Sequence, residues 1–236
     1  MDKILPAFEE SLLDPTLRDA CLDITELGID SILDDGVLKA FPLVKFFIGV
    51  GKTAQNIHDR NLLKQTYKSN ITFKEKPISP KKIEKYRKHL NSNPKFAEEE
   101  LGRVLVLLNS YVDSKKSELL AKFFYSYVNE EIDWSTFHEL SDITSRLFIS
   151  DLDLLFKFYE NKDLGTSQVK SYQADRLIAL GLLDFTMKPT LGTISQRHFR
   201  INNLGKSFCR IALQWTRKPL IIIGNECETK SSIEHL

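Results

Sequence analysis

"KFFIGVGKTAQ", residues 45–55, decides between two folds. If Gly51-Lys52-Thr53 closes a phosphate-binding loop, the chain is an α/β nucleotide-binding enzyme. If it does not, the stretch is part of a helix and the front of the chain is a helical assembly. The loop needs a glycine five residues before the glycine of Gly-Lys-Thr, so that backbone N–H groups can wrap around phosphates. Counting back from Gly51 lands on Phe46, a bulky ring. The loop should also follow a buried strand. Upstream stands "ILDDGVLKAFPLV", with a turn at Asp35-Gly36 and a proline at Pro42. Pro42 suits the first turn of a helix, where a missing N–H leaves nothing unbonded. From there Leu43, Phe46, Phe47, Val50, Ala54, Ile57 and Leu62 recur mostly at spacings of three and four, one face of a helix. Gly49 and Gly51 fall within that face, where a second helix can approach closely. The spacing predicts a packed helix over about 41–67, with Phe41, Phe46, Phe47 and Val50 on its assembly face.

Composition bounds the function classes. The 236 residues are 42% apolar and 28% charged with a net charge of +1, so no global charge favours nucleic acid or an anionic membrane. Cys21, Cys209 and Cys227 are odd in number and in no metal-ligand spacing, which points to a reducing compartment. The start "MDKILPAFEESLLDPTL" holds acids and a proline where a signal peptide would be apolar. The most apolar stretch, 36–54, is interrupted by Lys39, Lys45 and Lys52 and so does not read as a span. Those lysines beside an aromatic face leave a membrane-surface helix as an alternative. A cytoplasmic location is the expectation.

Along the first half the pattern is helical. Asp14 and Pro15 mark a helix start, and "SNITFKEKPISPKK", with its prolines and lysines, reads as a linker over about 69–81. "PKKIEKYRKHL" opens a basic helix with Lys81, Lys82, Lys85, Arg87 and Lys88 against Glu84 alone, either a patch for phosphate or acidic partners or a solvated face. Asn93-Pro94, Ser114 and Asp133 introduce three further helices, the first two increasingly apolar. No internal repeat of fixed period is present.

The last third changes character. "SDLDLLFKFYEN" (150–161) is an amphipathic helix, and "QVKSYQADRLIALGLLDFT" is a helix ending near Gly181 and passing into a strand. "MKPTLGTISQRHFRIN" has turn residues at its centre and alternation around Phe199 and Ile201, a β-hairpin. "NNLGKSFCRIALQW" closes with a helix that Asn202 or Asn203 can cap. In order and in the phrases "RLIALGLLDFT" and "HFRINNLGKSF", residues 150–215 resemble a winged-helix domain. The whole chain is similar, in its helical front followed by "FHELSDITSRLFISDLDLLFKFYEN" and the wing, to abortive-infection alpha-type proteins of bacteria, which are associated with defence against phage, and "GVLKAFPLVKFFIGVGKTAQNIHDR" is similar to segments of bacterial and prophage-encoded proteins. That likeness carries no catalytic motif. The expected fold is therefore mainly α: a helical assembly domain over 1–148, a winged-helix α+β domain with a small wing over 149–224, and a polar tail over 225–236.

Two kinds of partner follow from the winged-helix resemblance. DNA-binding members place one helix in the major groove and lay the wing along phosphates. From Lys188 to Lys218 there are seven basic residues, plus His198, and no acid. Arg197 and Arg200 fall on the wing, Lys206 follows it, and the helix before it offers Lys170, Gln173 and Arg176, opposed by Asp175. The interval from Glu160 to Gly181 is short for two complete helices before a wing, and a degenerate module of this kind binds proteins instead. Protein contact or self-association is the first expectation, with DNA regulation and membrane perturbation as alternatives. No pattern supports an enzyme, a cofactor or a metal: His58, His89, His138, His198 and His235 form no close ligand pair. His138 and Glu139 are neighbours on a helix and so point to different faces. "NIHDRN" fits a helix surface, and Asp151 and Asp153 fit a helix start, where acids meet the dipole favourably.

Overall fold

A computed structural model of the chain describes residues 4–17, 41–49, 57–160, 169–188 and 196–214. Among these are ten α-helices and one two-stranded antiparallel sheet. The helices are α1 (Ile4–Leu13), α2 (Pro42–Gly49), α3 (Ile57–Lys74), α4 (Pro80–Ser92), α5 (Pro94–Ser110), α6 (Ser114–Val128) and α7 (Trp134–Arg146). After a 3-10 turn at Ile149–Asp151 come α8 (Leu152–Glu160), α9 (Ser171–Ala179), strands β1 (Leu183–Lys188) and β2 (Gln196–Ile201), and α10 (Asn203–Leu213).

Local chemistry sets most of these boundaries. Ser79, Asn93, Asp113, Asp133 and Asn202 each accept a backbone N–H of the helix that follows, so five helix starts are capped by a side-chain oxygen. Pro80 and Pro94 occupy first-turn positions, where no donor is lost. Helix α9 ends in a Schellman turn: Gly181 has φ 72°, and Leu182 N–H donates to the Leu177 carbonyl at 2.9 Å. Glycine takes that left-handed conformation without strain.

Helix α6 is the axis of the fold. It is buried on almost every side, through Leu119, Leu120, Ala121, Phe123, Phe124, Tyr125 and Val128, the composition of a helix enclosed by others. It packs on α3, α4, α7 and α10. Phe124 meets the rings of Phe73, Tyr86, Tyr127 and Phe137 at centroid distances of 5.3–6.1 Å. On the other flank Phe123 meets Phe208 of α10 at 5.0 Å, and Lys122 Nζ donates to the Ala212 carbonyl at 2.7 Å. One continuous core therefore runs from α1 to α10. Cys209 is fully enclosed within it, and burial pushes its thiol up to about 12.

The hairpin has the register Leu183↔Ile201, Phe185↔Phe199 and Met187↔Arg197 on one face, and Asp184↔Arg200 and Thr186↔His198 on the other. Helix α10 lies so close to its base that a Cβ on Gly205 would stand 2.2 Å from the Leu182 carbonyl oxygen.

Two sequence expectations change. The segment read as a linker is half helix: 69–74 closes α3, with Ser69, Asn70, Ile71, Thr72 and Phe73 buried. Composition marked it polar, whereas tertiary packing encloses it; the break itself falls at 75–79, before Pro80. The long helix over 41–67 is described as α2 and the start of α3, and Val50, Gly51, Lys52 and Thr53 lie outside the described residues. Cys21, Cys227 and the tail also lie outside them.

Candidate functional site

Two of the three residues expected to read bases, Gln173 and Arg176, are gathered around one carboxylate. Asp151, fully buried in the 3-10 turn, accepts two hydrogen bonds from the Arg176 guanidinium, Nε to Oδ2 at 2.7 Å and Nη2 to Oδ1 at 2.5 Å. Gln173 Nε2 donates to the same Oδ1 and to the Ser150 carbonyl, both at 3.0 Å. Burial by itself would raise the Asp151 carboxyl; the donors and the charge of Arg176 outweigh it and hold it below the usual carboxylate range. Arg176 also stacks between Phe148 at 4.4 Å and Tyr172 at 5.0 Å. Gln173 and Arg176 thus hold α9 against the turn before α8. Asp151, read from sequence as a helix-start acid, is the anchor of that clamp.

A second clamp joins α9 to the hairpin. Arg197 pairs with Asp175 and stacks against Phe185 at 4.8 Å and Phe199 at 5.0 Å. Of the other cations expected here, Lys170, Arg200 and Lys206 are exposed, and none of them forms an ion pair among the described residues. His198 is half-buried on the polar hairpin face opposite Thr186. The sequence-predicted residues therefore divide into a clamped set and a peripheral set.

Two of the five bases of helix α4 are paired with acids. Lys85 pairs with Glu130, Lys88 pairs with Glu84 at 2.7 Å, and Lys82 Nζ donates to the Asn129 carbonyl at 2.5 Å. Arg87 exerts its charge on Glu9 and Asp14, and Lys81 is exposed. The same helix supplies a network that the sequence reading missed. Glu100 of α5, 4% exposed, accepts from Tyr86 Oη at 2.8 Å, Tyr127 Oη at 3.0 Å and His89 Nε2 at 2.6 Å. Burial and the Glu100 charge raise both phenols, so they remain protonated donors. His89 stacks on Phe96 at 4.6 Å, and its Nδ1 makes no hydrogen bond among the described residues. A small cavity of about 190 Å³ opens on Tyr86, His89 and Tyr127. A glutamate at a core position of α5 was the available signal.

A larger cleft of about 790 Å³ lies between α7 and the α9–β1 turn. Its α7 wall is polar, with Trp134, His138, Glu139, Asp142 and Arg146, and its opposite wall is apolar, with Leu180 and Leu204. His138 and Glu139 both line it, although adjacent on their helix. Ser135, His138 and Asp142 share this wall, but no hydrogen bond joins Ser135 to His138, and His138 Nδ1 stands 3.5 Å from Asp142 Oδ2. Arg103 holds the other Asp142 oxygen at 2.6 Å. The nucleophile-to-base contact of a relay is not formed.

Of the proposed assembly face, only Phe41 and Phe46 have described side chains. Phe41 is buried, edge-on to Tyr67 at 5.7 Å, and Phe46 is half-buried. The side chain of Phe47 and all of Val50 lie outside the described residues. No helix among the described residues is long and apolar enough to cross a membrane, and no His/Cys/Asp/Glu group among them could hold a metal. No protein-family model, curated protein or solved structure matches the chain.

Proposed function

We propose that the chain is a non-enzymatic binding and assembly protein in which a helical body carries a winged-helix-like module, α8 to α10, that contacts protein and not DNA. One observation carries the choice of partner: Gln173 and Arg176, two of the side chains expected to read bases, are committed to the buried Asp151 carboxylate. Releasing Arg176 and Gln173 would leave Asp151 ionised and unpaired in the core, which is strongly unfavourable. Base readout needs such side chains at liberty to meet base edges. The order helix, helix, hairpin, helix and the capped entry into α10 support the winged-helix part of the reading. A place in bacterial phage defence rests on the resemblance of the whole chain alone.

A second reading, DNA regulation through phosphate contacts, draws on the exposed Arg200, Lys206 and Arg210. Binding of the full chain to a mixed duplex at low and moderate salt separates the two. Under the first reading no salt-sensitive complex forms. A complex that weakens steeply with salt, and further in Arg200→Ala and Lys206→Ala, would overturn it.

A further inference from the structure

Among the described residues, five of the seven exposed large apolar side chains fall between residues 148 and 187. Phe148 (56% exposed) and Tyr172 (55%) flank the Arg176 stack, Phe185 (45%) lies in the Arg197 stack, and Met187 (56%) is the cross-strand partner of Arg197 in the hairpin. The contacts run Phe148, Arg176, Tyr172 in one stack and Asp175, Arg197, Phe185 in the other. Tyr172, Asp175 and Arg176 lie at spacings of three and four, so α9 presents them on one face. On the hairpin, Leu183, Phe185 and Met187 share one face of β1, and exposure rises from 1% to 45% to 56% outward. The apolar face of the hairpin thus continues beyond the body it packs on.

This composition, aromatic rings, methionine and stacked arginine with few unpaired charges, is that of the centre of a protein interface. Three half-exposed rings, each able to bury about 150–250 Å², form an apolar patch of a few hundred Å², the scale at which patches mark association sites. Its charges select the occupant. Arg176 and Arg197 are each matched by an aspartate, so the patch has no net positive charge to attract a phosphate backbone. It also carries both members of an exposed ion pair, Arg197 at 35% and Asp175 at 49% side-chain exposure. A surface that holds an arginine and an aspartate side by side among aromatic rings is complementary to itself when turned by a two-fold axis.

We infer that the α9–hairpin face is a homodimer interface: a second copy of this chain packs its Tyr172, Phe185 and Met187 against the same residues, with Arg197 of each copy facing Asp175 of the other. The inference rests on the protein-binding reading and supplies its partner.

The test is sedimentation of the full chain over a dilution series, with circular dichroism on each variant. The wild-type chain should sediment as a dimer that dissociates on dilution. Phe185→Asp and Tyr172→Asp should each raise the dissociation constant at least tenfold while leaving the helical spectrum unchanged. Arg197→Asp and Asp175→Arg should each be monomeric alone and dimerise when mixed, because one then presents two acids and the other two bases. Rescue on mixing separates contact between copies from the pair within one chain. A monomeric wild type at every concentration, a dimer indifferent to Phe185→Asp, or no rescue on mixing would overturn the inference. A monomer that also leaves DNA untouched sinks the homodimer alone, whereas salt-sensitive duplex binding sinks the reading beneath it.

Discussion

Two buried carboxylates hold two parts of the molecule by different chemistry. Glu100, in the helical body, accepts from two phenols and an imidazole; Asp151, at the entry to the last third, accepts from a guanidinium and an amide. The body network joins α4, α5 and α6 and draws on two phenols that carry no charge at neutral pH and on the His89 ring. The Asp151 clamp draws in a cation, Arg176, that would otherwise be available on the surface of α9. A buried acid in one region secures packing alone, while in the other it also removes a base-reading side chain from use. Charge counted along a sequence therefore overstates the charge a surface can offer a ligand.

That contrast can be broken by substitution. The largest effect is expected from Glu100→Ala, which leaves the buried Tyr86 hydroxyl unpaired and opens space in the core. A loss of about 3–4 kcal/mol in chemical denaturation is expected. Asp151→Ala should lose about 3 kcal/mol, the low end for a broken buried pair, because the Arg176 side chain, one third exposed, can turn to solvent. Only this second variant should gain weak, salt-sensitive duplex binding, since it frees Arg176 and Gln173. The Asp151 carboxyl is lowered in the folded state, so its contribution is present in full above about pH 4. It is lost as pH falls through the lowered value, and Asp151→Asn should flatten that acid limb of the stability curve. Gly205→Ala drives a methyl into the Leu182 carbonyl, with an expected loss of about 2–3 kcal/mol and a lower thermal midpoint. The smallest effect belongs to Lys85→Ala, whose partner Glu130 is exposed: its denaturation midpoint should match the wild type within error.

Much of the fold was legible because its signals are local. Asn93-Pro94, Ser114, Asp133 and Asn202 mark helices that begin there, although the cap before Ser114 is Asp113, and alternation around Phe199 locates β2. The failed phosphate-loop spacing fits a mainly helical architecture, with Pro42 opening α2. What stayed hidden depends on distance along the chain. Asp151 and Arg176 are 25 residues apart, and Glu100 and Tyr127 are 27 apart, so no periodicity connects them. The same holds for residues 69–74, whose polar letters look like a linker until α6 covers them. Phe41 shows the converse case: an aromatic face was visible, but not whether it turns toward the core or toward a partner.

Cys209 gives the protein an internal clock. Its thiol sits fully enclosed beside Phe208, and burial keeps it in the unreactive protonated form. An alkylating reagent can reach it only in the moments when the packing of α10 on α6 and α8 opens. The rate at which the α10 peptide gains mass under excess reagent therefore counts those openings. That rate converts the attachment of the whole last third into a number measured from the native state.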